Sequence, residues 1–171
     1  MRFLPLIGLY NKPAGVASLA SGVSWSTQPT DIPYNALASE DGRTYEFVRI
    51  SATCTVGALL YYTGTALQYV CQSGTGGVKP VGVSLVAPTA SGVWSFIQKY
   101  GKNTSIQATN TFSVASPSNN LFSDGGSGAL NLSGAVSGAA IGSGSVNAYY
   151  NIGQALTVAT GSQVVGFLTL L

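Results

Sequence analysis

The stretch VKPVGVSLVAPTASGVWSFIQKYGK, residues 78–102, decides the fold. Two runs in it, PVGVSLV (80–86) and VWSFIQ (93–98), are short and rich in Val, Ile and aromatic residues, which suit a half-buried pleated surface. Between them PTASG (88–92) has turn chemistry, and YGKN (100–103) reads as a second turn ending in a small basic tip. Two paired strands are predicted. Side chains alternate across a strand, so Trp94 and Phe96 share one face while Val93, Ser95 and Ile97 take the other.

The same texture extends in both directions. Further strands are expected at YEFVRIS (45–51), ALLYY (58–62), ALQYVCQ (66–72), SIQAT (105–109), TFSVA (111–115), QALTVA (154–159) and QVVGFLTLL (163–171), with turns at 63–65, 74–77 and 116–120. No window of a dozen residues free of Gly and Pro sustains the apolar spacing of a helix, and the chain holds 22 glycines. The fold class is all-β.

PVGVSLVAPTASGVWSFIQ (80–98) can be laid beside NIGQALTVATGSQVVGFLTL (151–170), and GALLYYTGTALQ (57–68) beside NLFSDGGSGALN (120–131). The chain therefore reads as two loosely repeated halves, about 57–98 and 120–170, of a compact β-barrel or sandwich. Residues 123–147 are Gly-rich but repeatedly apolar, at Leu130, Leu132, Val136, Ile141 and Val146, which favours an ordered, loop-rich segment over a solvated linker.

Residues 1–44 differ. They hold Pro5, Pro13, Pro29 and Pro33, four of the seven prolines, which disfavours a central strand. They read as an extended N-terminal arm on an all-β domain of residues 45–171. MRFLPLIGLY superficially resembles a secretion signal, but Pro5 interrupts its apolar run and Asn11, Lys12 and Pro13 follow, so an ordered arm is expected. No apolar run approaches the ~18 residues of a membrane span.

Charged residues are 7% of the chain, against about 25% in ordinary soluble domains. A net charge of +2 is too small for an electrostatic grip on nucleic acid. A neutral surface of Ser, Thr, Asn, Gln and Gly costs little to desolvate, which favours life in an assembly. Beyond Lys102 the only ionisable acid or base apart from Tyr is Asp124.

Chemistry finds few candidates. The chain has no His, which removes Ser-His-Asp and Cys-His catalysis and the commonest transition-metal ligand. Cys54 and Cys71 cannot build a Cys₄ zinc site; two buried free thiols are the plainer reading, and a cross-strand disulfide is conceivable. GTGGVK (74–79) lacks the helix that would hold a phosphate. Of the five carboxylates, Asp31, Glu40, Asp41, Glu46 and Asp124, Glu40 and Asp41 beside Gly42 and Asp124 beside Gly125 suit turns. No enzyme, cofactor or metal is expected.

Four residues remain as candidate contacts. Lys99, Tyr100 and Lys102, with Lys79 as a further neighbour, form the basic tip, read as strand-end lysines that discourage edge pairing, with docking of a phosphate or an acidic surface as the alternative. Trp25 lies in the Pro-rich arm and reads as an anchor in a pocket of its own or a neighbouring subunit. Asn103-Thr104-Ser105 and Asn131-Leu132-Ser133 match the glycosylation sequon, which a Ser-rich chain satisfies by chance.

The order of segments resembles the small capsid decoration, or cement, proteins of tailed bacteriophages. The elements that carry the resemblance are Gly57 with the Leu-Leu-Tyr-Tyr hairpin, then Lys79-Pro80-Val81-Gly82-Val83 with an Ala/Ser/Gly turn. The strand Val93 to Gln98 ending at Gly101 follows, then a Leu-Phe … Gly-Ala-Leu segment and Ile152-Gly153-Gln154-Ala155-Leu156 before a closing apolar strand. It covers about residues 45–171 and leaves 1–44 as an extension. The resemblance implies a β-barrel or β-tulip and a structural virion protein on the outer capsid surface, made in the host cytoplasm. Its implied partners are the major capsid protein and itself, as a trimer or dimer, with no catalysis, nucleic acid or membrane. The alternative is a receptor- or glycan-binding β-module of a phage fibre or tail.

Overall fold

A computed structural model describes residues 12–51, 53–62, 69–70, 80–89, 92–107, 120–123, 130–132, 151–157 and 163–170. They are all-β, with one 3-10 turn at Leu19–Ser21. The strands are β1 (Ser24–Trp25), β2 (Leu37–Glu40), β3 (Arg43–Ile50), β4 (Leu59–Tyr62), β5 (Tyr69–Val70) and β6 (Pro80–Ser84). They continue as β7 (Val93–Gln107), β8 (Asn120–Ser123), β9 (Leu130–Leu132), β10 (Asn151–Ala155) and β11 (Gln163–Thr169).

β7 organises the molecule. It runs 15 residues, through the expected turn at 100–103, so VWSFIQ and the Ser105–Gln107 part of SIQAT belong to one strand. The physical reason is a side-chain staple across a bend. Gly101 adopts φ +92°, open to glycine at no steric cost, and Gln98 turns its amide toward the carbonyls of Tyr100, Gly101 and Lys102 at 3.1, 3.2 and 3.1 Å. Asn103 donates to Gln98 Oε1 at 3.0 Å and accepts from the Ser105 amide at 2.8 Å. Two buried amide side chains thus satisfy the main chain where the ladder is interrupted.

Each edge of β7 is used. β3 runs along one edge, pairing Ile50 with Val93 through Thr44 with Tyr100, and Lys99 is the extra, bulged residue. β1, β6 and β11 follow one another along the other edge, at residues 94–95, 97–98 and 100–107. Pairing also runs β3–β5–β4–β6–β7, so these five strands close on themselves as a small barrel. Every contact in the ring is antiparallel except the Ile50–Tyr69 bridge of β3 and β5. Val48, Ile50, Leu60 and Ile97 cluster within it, all fully buried.

The second half repeats the first in its pairing. β5–β4–β6–β7 and β9–β8–β10–β11 have the same order, every neighbour antiparallel. The alignment of 80–98 with 151–170 therefore corresponds to equivalent strand pairs, β6–β7 and β10–β11. That of 57–68 with 120–131 sets β4 beside β8, and residues 63–68 and 124–129 lie outside the described residues. β10 begins at Asn151, three residues before the expected strand, and β8 and β9 lie in text read as strand-turn and as loop-rich segment. The halves pack through a core that joins Leu59, Tyr61 and Val83 to Ile106, Leu121, Ile152, Val164 and Leu168. The expected strand 111–115 lies outside the described residues, as do Cys71, Lys79 and Asp124.

Residues 12–44 lie on their own body. Among the described residues β1 pairs with β7 alone and β2 with β3 alone, edge positions that a Pro-rich segment can occupy. Leu19, Ile32, Ala36 and Ala38 are buried against Tyr45, Phe47, Leu85 and Phe96. Asp41 and Gly42, both at positive φ, make the two-residue turn between β2 and β3. Residues 1–11 lie outside the description.

Candidate interaction surface

The outer face of β7, β11 and β10 brings two of the four candidate residues together. In β11, Val164, Gly166 and Leu168 are buried, so Gln163, Val165, Phe167 and Thr169 point outward. Register places Phe167 opposite Lys102 on β7 and Gln154 on β10, and Thr169 opposite Tyr100. The rings of Tyr100 and Phe167 meet edge to face at 5.1 Å. Lys102, Thr104 and Gln154 are exposed beside them.

Charge on this face is minimal. Across β7, β10 and β11 the charged residues are Lys99 and Lys102. Lys99 is committed, since its Nζ lies 2.7 Å from Glu46 Oε2 with both side chains largely buried. Lys102 makes no ion pair among the described residues. Among the described residues the face therefore offers a half-buried aromatic pair and one cation outside any ion pair, in a field of neutral hydrogen-bonding groups. Such a surface is suited to contact over area, with an acidic group on the partner meeting Lys102.

Lys99, Tyr100 and Lys102 are not at a strand end. Tyr100 pairs on both sides, with Thr44 and Thr169, and Lys99 O accepts from the Leu170 amide at 2.9 Å. The strand-end reading is corrected accordingly: β7 runs on through these residues, with a strand on each side of Tyr100 and β11 beside Lys102.

Trp25 is an intramolecular anchor. It pairs with Trp94, and its ring packs edge-on at 5.8 Å from Phe47 and 6.4 Å from Phe96. Trp94 stacks on Phe47 at 5.6 Å and meets Tyr34 edge to face at 6.3 Å. Ser95 Oγ donates to Val23 O at 2.8 Å beside this cluster. Both indoles are half-buried.

Among the described carboxylates, Glu40 and Glu46 hold parts of the fold together. Glu46 holds Lys99, Asp31 and Asp41 are exposed in a loop and a turn, and Glu40 binds the segment before β1. Glu40 is not the solvated turn residue its neighbours Asp41 and Gly42 imply. Among the described residues no three His, Cys, Asp or Glu side chains gather as a metal site. The Cys54 thiol is free, with Sγ 3.5 Å from Ser84 Oγ, and burial pushes its pKa up. Asn103 of the first sequon is buried in the β7 staple, where a glycan has no access. A shallow depression lined by Gln28 to Pro33 belongs to one loop and carries only Asp31.

Phe167, Thr104 and Gln154 escaped the sequence reading. Alternation in QVVGFLT separates Phe167 from Val164 and Leu168, but only the register of β11 on β7 shows that it meets Tyr100. No protein-family model matches the chain, and comparison with curated proteins returns no match.

Proposed function

We propose that this chain is a structural virion protein that binds the outer surface of a phage capsid and stabilises it, acting as a cement protein and not as an enzyme. The observation that carries the reading is the nearly neutral outer face of β7, β11 and β10, with the Tyr100–Phe167 pair and the exposed Lys102, which makes no ion pair among the described residues. Low charge throughout the chain and the segment order of residues 45–171 support it. The partners are the major capsid protein and further copies of the chain. Many weak copies on one lattice hold by avidity.

The test is co-sedimentation of the purified protein with undecorated, expanded heads of the same phage. Wild type is expected to saturate the heads. Tyr100→Ala, Phe167→Ala and Lys102→Glu are expected to weaken binding, each of the aromatic truncations by roughly 2 kcal/mol if it is a contact anchor. Wild-type protein left entirely in the supernatant would remove the reading.

A glycan-binding module is the second reading, and its support is the half-buried pair Trp25 and Trp94. Against it, both rings are engaged by Phe47, Phe96 and Tyr34. Glycan-array binding lost in Trp94→Ala would favour it.

A further inference from the structure

Residues 12–22 form a strap across an apolar ledge made by Ala36, Ala38 and Tyr45 of the β2–β3 hairpin region and by Leu85 just after β6, and one carboxylate fastens it. Glu40 Oε2 accepts from Ser18 Oγ at 2.7 Å and from the Leu19 amide at 2.8 Å, while Glu40 Oε1 lies 3.5 Å from Lys12 Nζ. Lys12 in turn donates to Ala17 O at 2.7 Å, and Ser18 Oγ caps the 3-10 turn by accepting from the Ala20 amide at 3.1 Å. Those contacts seat Leu19, fully buried, with Val16 and Ala20 against Ala36, Ala38, Tyr45 and Leu85.

The strap has a hinge where these contacts stop. Gly22 stands at φ +73°, and a Cβ there would lie 2.2 Å from Leu85 O, so the chain turns at a residue that must be glycine. Immediately after it, Val23 O is bonded by Ser95, and β1 is paired to β7. β1 is thus held by β7 and not by the Glu40 contacts, while Val23 and Trp25 pack on the same apolar cluster as Leu19.

We propose that the strap is an acid-released latch: protonation of Glu40 unfastens residues 12–22 and uncovers the ledge of Ala36, Ala38 and Leu85 while the sheet stays folded. The ionisable groups around Glu40 are Lys12 on the strap, Arg43 as its register partner across the β2–β3 turn, Asp41 next to it in sequence, and Tyr45 on β3, which the Glu40 charge reaches. Burial alone raises the Glu40 pKa; the Ser18 hydroxyl, the Leu19 and Ala20 amides and Lys12 outweigh it and hold the carboxyl below its ordinary value. A depressed pKa sets the sign. The latch is fully fastened above the unfolded-state carboxyl pKa and loosens as pH falls through the lower folded-state value.

Hydrogen exchange of the whole chain against pH tests this. After correction for intrinsic rates, the Leu19 and Ala20 amides are expected to lose protection on acidification before any amide of β7. Glu40→Gln is expected to reproduce that loss at neutral pH, on the order of tenfold, because a charge-assisted acceptor becomes a neutral one. Lys12→Met, which removes the outer ion pair only, is expected to act less. Trp25 fluorescence is expected to stay constant throughout. Strap and β7 amides exposed together, or a strap indifferent to both acid and Glu40→Gln, would overturn the latch. Head binding by the outer face of β11 is a separate measurement and is unaffected by either result.

Discussion

Asn103 Nδ2 donates to Gln98 Oε1 at 3.0 Å, across a bend inside one strand and not between two. It lies where β7 passes from the barrel, which its first half serves, to the second half of the molecule, where it pairs with β11. Gln98→Ala leaves buried carbonyls without a donor and is expected to cost roughly 1–3 kcal/mol in urea unfolding. Asn103→Ala is expected to cost a similar amount, and the double variant less than their sum, because both belong to one network.

Gly57 joins the ends of three strands. Its amide donates to Ser84 O at 2.8 Å, its carbonyl accepts from the Gln107 amide at 2.9 Å, and its φ is +86°. A Cβ at this position would lie 1.7 Å from Ser105 O. Gly57→Ala is therefore expected to lose soluble yield and to unfold at markedly lower temperature, the strained φ alone costing about 1–3 kcal/mol. Gly42→Ala, in an open turn, meets no neighbouring atom and is expected to cost less.

The Lys99–Glu46 pair shields two charges from water. Removing one partner, as in Lys99→Met or Glu46→Gln, is expected to cost roughly 1.5–3 kcal/mol. Removing both is expected to recover part of that, since no uncompensated charge is left behind. Equilibrium unfolding of the double-mutant cycle measures the difference.

Cys54 is a quiet thiol. Burial raises its pKa, so less thiolate is present near neutral pH. Its alkylation in the folded protein is expected to be far slower than in denaturant, as read by mass spectrometry of the Cys54 peptide.

Much of this fold was legible in the sequence. Val, Ile and Tyr runs between Gly-rich turns announced an all-β chain, and the repeat of 80–98 in 151–170 proved to mark equivalent hairpins. What misled was local chemistry with a non-local partner. YGKN has the composition of a turn, and nothing in it tells that Gln98 and Asn103 will satisfy its main chain and let the strand continue. Glu40 beside Asp-Gly likewise reads as solvated, because its partners Ser18 and Leu19 lie some twenty residues away. The face that holds Tyr100, Lys102 and Phe167 needed the register of β11 on β7, which alternation alone leaves open.

The most direct test of the proposed role is the thermal stability of heads. Undecorated expanded heads are incubated with increasing amounts of the purified protein and heated while DNA or shell release is followed. Saturable binding accompanied by a higher release temperature is the predicted result. Heads that release at the same temperature at every protein concentration, with no protein bound, would contradict it.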